Sequence, residues 1–189
     1  MKVLEILRLA SRQMQLDNVL SMLNEEEVAS AETTRDINTL TRALNMVVQD
    51  IAYTYISLVN TEKLSVTDGK LYYISLEKPI IDIISITTTH GNKLKGKAYP
   101  DSIELPIKEG NVTISYSYAP EVLTELTQEV PSFNNKLNAD TLSFGTCAEY
   151  LFMLGVYDDA RMWESRFKNN LFVSQSTKRE VRMPERGWW

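Results

Sequence analysis

Apolar positions at the start of the chain follow a helical period. Val3, Leu7, Ala10 and Met14 recur at spacings of three and four, and Leu16, Leu20 and Leu23 continue the stripe, which predicts one helix. NEEEVASAE interrupts the period. Within it Ser30 is placed to cap a second helix, and Glu32 falls in the first turn, where the helix dipole favours a carboxylate. Ile37, Leu40, Leu44, Val47, Ile51, Tyr55 and Leu58 then repeat at three or four, so this second helix is expected to be long and to present one strong apolar face.

From about residue 61 the period changes to two, and β-branched and aromatic residues take over. KLSVTDGKLYYIS predicts two short strands around Asp68 and Gly69, a pair that tolerates the positive φ of a type I′ turn. IIDIISITTTHGNKLKGKAYP reads as a further strand with a second hairpin turn at Gly91 and Asn92. SIELPIKEGNVTISYSYAP supplies another pair around Gly110 and Asn111, with Ile114, Tyr116 and Tyr118 alternating with Thr113, Ser115 and Ser117. One small antiparallel sheet between helices is the expected result.

Pro120 and Pro131 bracket a connector. Leu137, Leu142, Cys147, Leu151 and Leu154 then predict a third helix, in which Asn138 and Gly145 weaken the propensity. Gly155 suits its end, and Asp158 or Asp159 is expected to cap a fourth helix carried by Ala160, Trp163, Phe167 and Leu171, antiparallel to the third. Beyond Val173 the periodicity is lost, and Pro184 bars a simple helical continuation. The expected fold is α+β: a bundle of about four helices, a small antiparallel β-sheet inserted between the second and third, and an extended C-terminal tail. The divisions are a helical hairpin over 1–60, a β insertion over 61–120, a second helical hairpin over 121–173 packing on the first, and an interaction tail over 174–189.

Composition narrows the function classes. A formal net charge of -5 argues against a general nucleic-acid binder, whose phosphate contacts need a basic surface. One cysteine, Cys147, excludes an internal disulfide and any cysteine-built metal site. No apolar run reaches the length of a membrane span, and the amphipathic N-terminus is unlike a signal peptide, so a cytosolic product is expected.

Catalytic constellations are missing. His90 is the only histidine and sits at a hairpin turn, and Cys147 falls among Leu142 and Leu151, where a thiol acts as a small apolar residue. The Glu25–Glu27 run and the Asp158–Asp159 pair lack the spacing of a calcium loop, and no phosphate loop, nucleophile elbow or HExxH pair occurs. Neither an enzyme nor a cofactor is expected. Lys93, Lys95 and Lys97 alternate as on one face of one strand, where lysines guard an exposed edge. Tyr53, Tyr55, Tyr72, Tyr73, Tyr116 and Tyr118 lack interleaved basic residues, so packing is expected of them rather than base stacking.

The chain resembles the head-tail adaptor (connector) proteins of tailed bacteriophages, most closely those of short-tailed phages. NVTISYSYAP is similar to a strand of that family ending in Tyr-x-Pro or Tyr-x-x-Pro. The stretch VPSFNNKLNADTLSFGTCAEYLFMLGVYDDARMWESRFKNNL carries the family-like pattern Pro131, Leu137, Ala148, Gly155, Asp158, Ala160, Trp163, Arg166, Phe167 and Leu171. The resemblance implies a structural virion protein at the head-tail junction, made in the host bacterial cytoplasm. It also implies a homo-oligomeric ring, commonly of about twelve copies, bound to the portal protein above and tail proteins below, with DNA passing through its channel without sequence-specific binding. A tail-completion or neck protein is the alternative within the same class, and a nucleic-acid-associated enzyme or regulator the alternative outside it.

Family members are often anchored to the portal through a C-terminal extension, which draws attention to KREVRMPERGWW. Lys178, Arg179, Arg182 and Arg186 against Glu180 and Glu185 give it a local net charge of +2 in a chain that is acidic elsewhere. Arginine and tryptophan are enriched at interface hot spots. Lys178, Arg179, Arg182, Arg186, Trp188 and Trp189 are therefore the expected contacts to the portal or to a neighbouring subunit.

Overall fold

The computed structural model describes residues 1–25, 30–133 and 137–175. Among them are five α-helices and seven strands, with the strands grouped between the third and fourth helices. The expected single N-terminal helix is two, α1 (Val3–Gln13) and α2 (Asp17–Leu23). The reason is phase. Continuing the buried series Val3, Ile6, Leu7 and Ala10 at helical spacing would turn Asp17, Asn18 and Ser21 toward the core. Gln15 instead takes a left-handed conformation, φ 57°, and the Leu16 N–H donates to the Ser11 carbonyl at 2.9 Å. The helix restarts with Val19 and Leu23 facing inward.

Helix α3 (Ala31–Asp50) begins where Ser30 was expected to cap it. The Thr33 N–H donates to Ser30 Oγ at 3.1 Å, and the Ser30 N–H donates to Thr33 Oγ1 at 2.9 Å, a reciprocal capping box. The helix does not reach Leu58. After Asp50 it widens into one π-helical turn, Ile51–Tyr55, closed by the Ile56 N–H donating to the Ile51 carbonyl at 2.8 Å. The chain then becomes extended at Ile56, and Leu58 is buried in the connector.

The strands are β1 (Val59–Val66), β2 (Lys70–Tyr72), β3 (Ile80–Thr88), β4 (Lys93–Leu94), β5 (Lys97–Ala98), β6 (Ser102–Glu104) and β7 (Gly110–Tyr118). They form two antiparallel sheets rather than the expected one, ordered β1-β7-β3-β4 and β2-β6-β5. Asp68 and Gly69 do take the positive φ of the expected turn, 54° and 72°. The strands on either side diverge at once, however: β1 pairs with β7, β2 with β6, and only Thr67 and Lys70 bridge. Gly110 and Asn111 likewise make no hairpin, because Gly110 already opens β7 and pairs with Val66, while β6 belongs to the other sheet. The turn at Gly91 forms as expected, with Ile86 opposite Leu94. Splitting the strands lets both sheets contribute to one core of Val66, Leu71, Ile86, Ile103, Leu105, Val112, Ile114 and Tyr116, which a single sheet would leave facing water.

After β7 the chain returns to the helices. The Val3 N–H donates to the Gln128 carbonyl at 3.0 Å and the Val130 N–H to the Met1 carbonyl at 2.9 Å, so this segment is stitched along the start of α1. Helix α4 (Ala139–Leu154) follows. Asn138, expected to weaken it, is its cap and accepts from the Thr141 N–H at 2.9 Å. This helix is mostly apolar and lies between α1, α3 and α5, with Leu142, Cys147, Ala148 and Tyr150 buried. Gly145 allows that crowding: a Cβ there would sit 2.8 Å from Val47 and 3.1 Å from Phe167. Gly155, at φ 79°, ends α4 in the left-handed conformation and turns the chain into α5 (Tyr157–Gln175). Asp158 and Asp159 occupy the first turn of α5 rather than its cap. Among the described residues five α-helices, rather than the expected four or so, therefore make the helical part.

Candidate interaction surfaces

Lys178, Arg179, Arg182, Arg186, Trp188 and Trp189 lie outside the described residues. The end of α5 that precedes them is described. Leu171 is buried there, whereas Phe172 and Val173 are 75% and 67% exposed, an apolar pair turned to solvent two residues before the helix ends. Earlier on the same helix Trp163 stacks on Phe144 with ring centroids 5.7 Å apart, and the Arg166 guanidinium lies 4.7 Å from the Trp163 ring.

The residues weighed for catalysis are placed apart. Cys147 is fully buried between α4 and α1, its Sγ 3.7 Å from the Ala10 carbonyl and 3.4 Å from Gln13 Oε1. Burial pushes its thiol up to about 12, which leaves negligible thiolate at neutral pH. His90 is exposed in the β3–β4 turn, on the sheet part of the molecule. Among the described residues no three His, Cys, Asp or Glu side chains are grouped to hold a metal, and no helix is long and apolar enough to cross a membrane.

The lysine expectation needs correcting. Lys93 belongs to β4 in the four-stranded sheet and Lys97 to β5 in the three-stranded one, so the three side chains do not share one strand. Gly96 makes the crossing between sheets, where a Cβ would come within 2.4 Å of Ile103. The tyrosines are likewise dispersed: Tyr53 and Tyr72 are exposed, whereas Tyr116 is fully buried. The Tyr116 hydroxyl donates to Glu62 and accepts from the Lys78 N–H at 3.3 Å, tying β7 to β1 and to the start of β3. Burial, and then the Glu62 carboxylate, hold that phenol above its ordinary range.

Two charged faces were not anticipated. Lys2, just before α1, and Glu5, Arg8 and Arg12 on it, with half-buried Leu4 and Leu9, line a groove of about 440 Å³. Arg8 donates to the Leu23 carbonyl at 2.7 Å, and none of these cations pairs with a carboxylate among the described residues. The second face is acidic. Glu149 on α4 lies near Asp50 at the end of α3 and Glu164 on α5; burial first, then these two carboxylates, raise its pKa. Lys168 forms an ion pair with Glu164 there, which offsets part of this charge. Spacing along α1 could have revealed the basic face. The acidic one draws on three separate helices and has no local signature.

No protein-family model matches the chain, and no curated protein matches it.

Proposed function

We propose that the protein is a non-enzymatic structural subunit of a tailed-phage particle, a head-tail adaptor that forms a ring between portal and tail and lets DNA pass. The observation that carries this reading is the order of elements. A helical body is interrupted by a β module between α3 and α4, and it ends in a hairpin whose last turns expose Phe172 and Val173 just before residues 176–189. An acidic chain suits a DNA conduit, since tight phosphate contacts would retard passage. The tail residues from Lys178 to Trp189 act in this reading as the anchor to the portal or to a neighbouring subunit.

The test is to mix the full chain with the portal protein of the same phage and isolate the complex, then repeat with residues 174–189 deleted. Capture of the full chain and loss of capture on truncation are expected. Equal capture of both forms would remove the anchoring role from the tail, and no capture of either would remove the adaptor reading. Salt-dependent DNA binding by the isolated chain, without portal binding, would favour a nucleic-acid-associated protein instead.

A further inference from the structure

The two edges of the four-stranded sheet are finished differently. At one edge β4 covers β3 only opposite Ile86 and Thr87, and the rest of β3 is interrupted by register shifts between Ile80 and Asp82 and between Ile83 and Ser85. The Asp82 carboxylate also accepts the Ile83 N–H at 2.8 Å. Bulges and charges of this kind guard an edge against stray strands. The opposite edge is β1, which is eight residues long, keeps continuous register with β7 and contains no proline. The edges of the other sheet, β2 and β5, are only three and two residues long.

One hydrogen bond fixes which groups β1 offers. The Tyr118 N–H donates to the Leu58 carbonyl at 3.0 Å, just before β1 and in the same register that sets Val59 opposite Ser117. Hydrogen-bonded positions alternate along an antiparallel pair, so Asn60, Glu62, Leu64 and Val66 bond to β7, and the N–H and C=O groups of Val59, Thr61, Lys63 and Ser65 point outward. Among the described residues none of these outward groups has a hydrogen-bond partner. The side chains of the same residues are exposed, whereas half-buried Leu64, on the other side of the strand, borders the core of the β module.

We propose that β1 takes an added strand from a different protein, an extended segment that alternates apolar residues with carboxylate or hydroxyl residues. The outward row of backbone donors and acceptors selects an extended chain. Leu64, at the rim of the core, calls for apolar residues on its side of that strand. Lys63, which has no ion-pair partner among the described residues, calls for a carboxylate on the other. A second copy of β1 matches poorly. The antiparallel register that uses the whole row sets Val59 opposite Ser65 and Thr61 opposite Lys63, and so places Glu62 directly against Glu62. The site goes beyond the adaptor reading and does not depend on it.

The probe is a capped peptide, Val-Glu-Val-Thr-Val-Glu-Val-Thr, titrated into the full-length chain and followed by amide NMR and hydrogen exchange. The amides of Val59, Thr61, Lys63 and Ser65 should shift and exchange about tenfold more slowly, whereas those of Asn60, Glu62 and Leu64, already bonded to β7, should change little. Thr61→Pro removes one outward donor and no bond to β7, and should weaken binding about tenfold. Lys63→Glu leaves the backbone intact and covers the case of a proline that unfolds the strand. It should reverse the charge preference, binding the lysine analogue of the peptide better than the glutamate original. Circular-dichroism melting checks the folding of both variants. No shift at about 1 mM peptide, protection away from β1, undiminished binding by folded Thr61→Pro or an unchanged charge preference in Lys63→Glu overturns the proposal. Concentration-dependent protection of the same amides in the chain alone would assign the edge to a second copy and overturn the choice of a foreign strand. Portal capture, which tests the adaptor reading, is measured separately and is untouched by these outcomes.

Discussion

The helical body and the β module are held together in different ways. In the body α4 is enclosed by three helices, and its glycine is crowded by Val47 and Phe167, so little slack remains. The β module has a thinner core shared by two small sheets, with strands as short as Lys93–Leu94 and Lys97–Ala98. Half-buried Tyr118 packs against both cores, and its N–H donates to the Leu58 carbonyl at 3.0 Å. Elsewhere the helices pack mainly on helices and the strands on strands. A rigid body joined to a lighter module through a narrow seam should lose structure in two stages, the module first.

The largest expected effect comes from making the same kind of cavity in each region. Leu44→Ala in the body should cost about 2–5 kcal/mol and lower the main thermal transition. Ile103→Ala in the module should cost a comparable amount locally, yet hydrogen exchange should show it opening the strands while the α4 amides keep their protection. If Ile103→Ala lowered α4 protection as far as Leu44→Ala does, the two regions would be one cooperative unit.

Next in size is Tyr116→Phe. It strips Glu62 and the Lys78 N–H of a shared buried partner, and should destabilise the module by about 1–3 kcal/mol in urea unfolding followed by tyrosine fluorescence. The shift should be confined to the transition reported by the strands. Asn138→Ala removes the cap of α4 and should cost about 1 kcal/mol, felt this time in the body.

These sites also show what was legible in the sequence. The caps and turns with local chemistry were readable: Ser30 before α3, the positive-φ pair Asp68–Gly69, and Gly155 after α4. Asn138 was misread because propensity treats asparagine as a poor helix interior, and only its place one residue before α4 makes it a cap. The break at Gln15 was missed because two apolar stripes of different phase look continuous when only their spacings are counted. Strand pairing was the larger gap. Adjacent strands such as β1 and β2 enter different sheets, and nothing local specifies that β1 will pair with β7. The charged faces follow the same rule, since Asp50, Glu149 and Glu164 meet only after three helices have packed.

The smallest effect concerns that acidic face. A carboxyl whose pKa is higher in the folded chain than in the unfolded one binds its proton more tightly when folded, so stability falls as pH rises from the unfolded value through the folded one. Glu149→Gln should therefore raise the melting temperature slightly at neutral pH. The gain should vanish in acid, below the ordinary range of a glutamate, where both states are protonated. A variant less stable than wild type at pH 7 would mean that the Glu149 charge is compensated within the single chain.

The adaptor reading stands most directly on cryo-electron microscopy of the portal incubated with the full-length chain. The predicted result is a closed ring of copies seated on the portal, with residues 176–189 in contact with portal or neighbour. A portal that remains bare at saturating chain, while the chain stays folded, would contradict it.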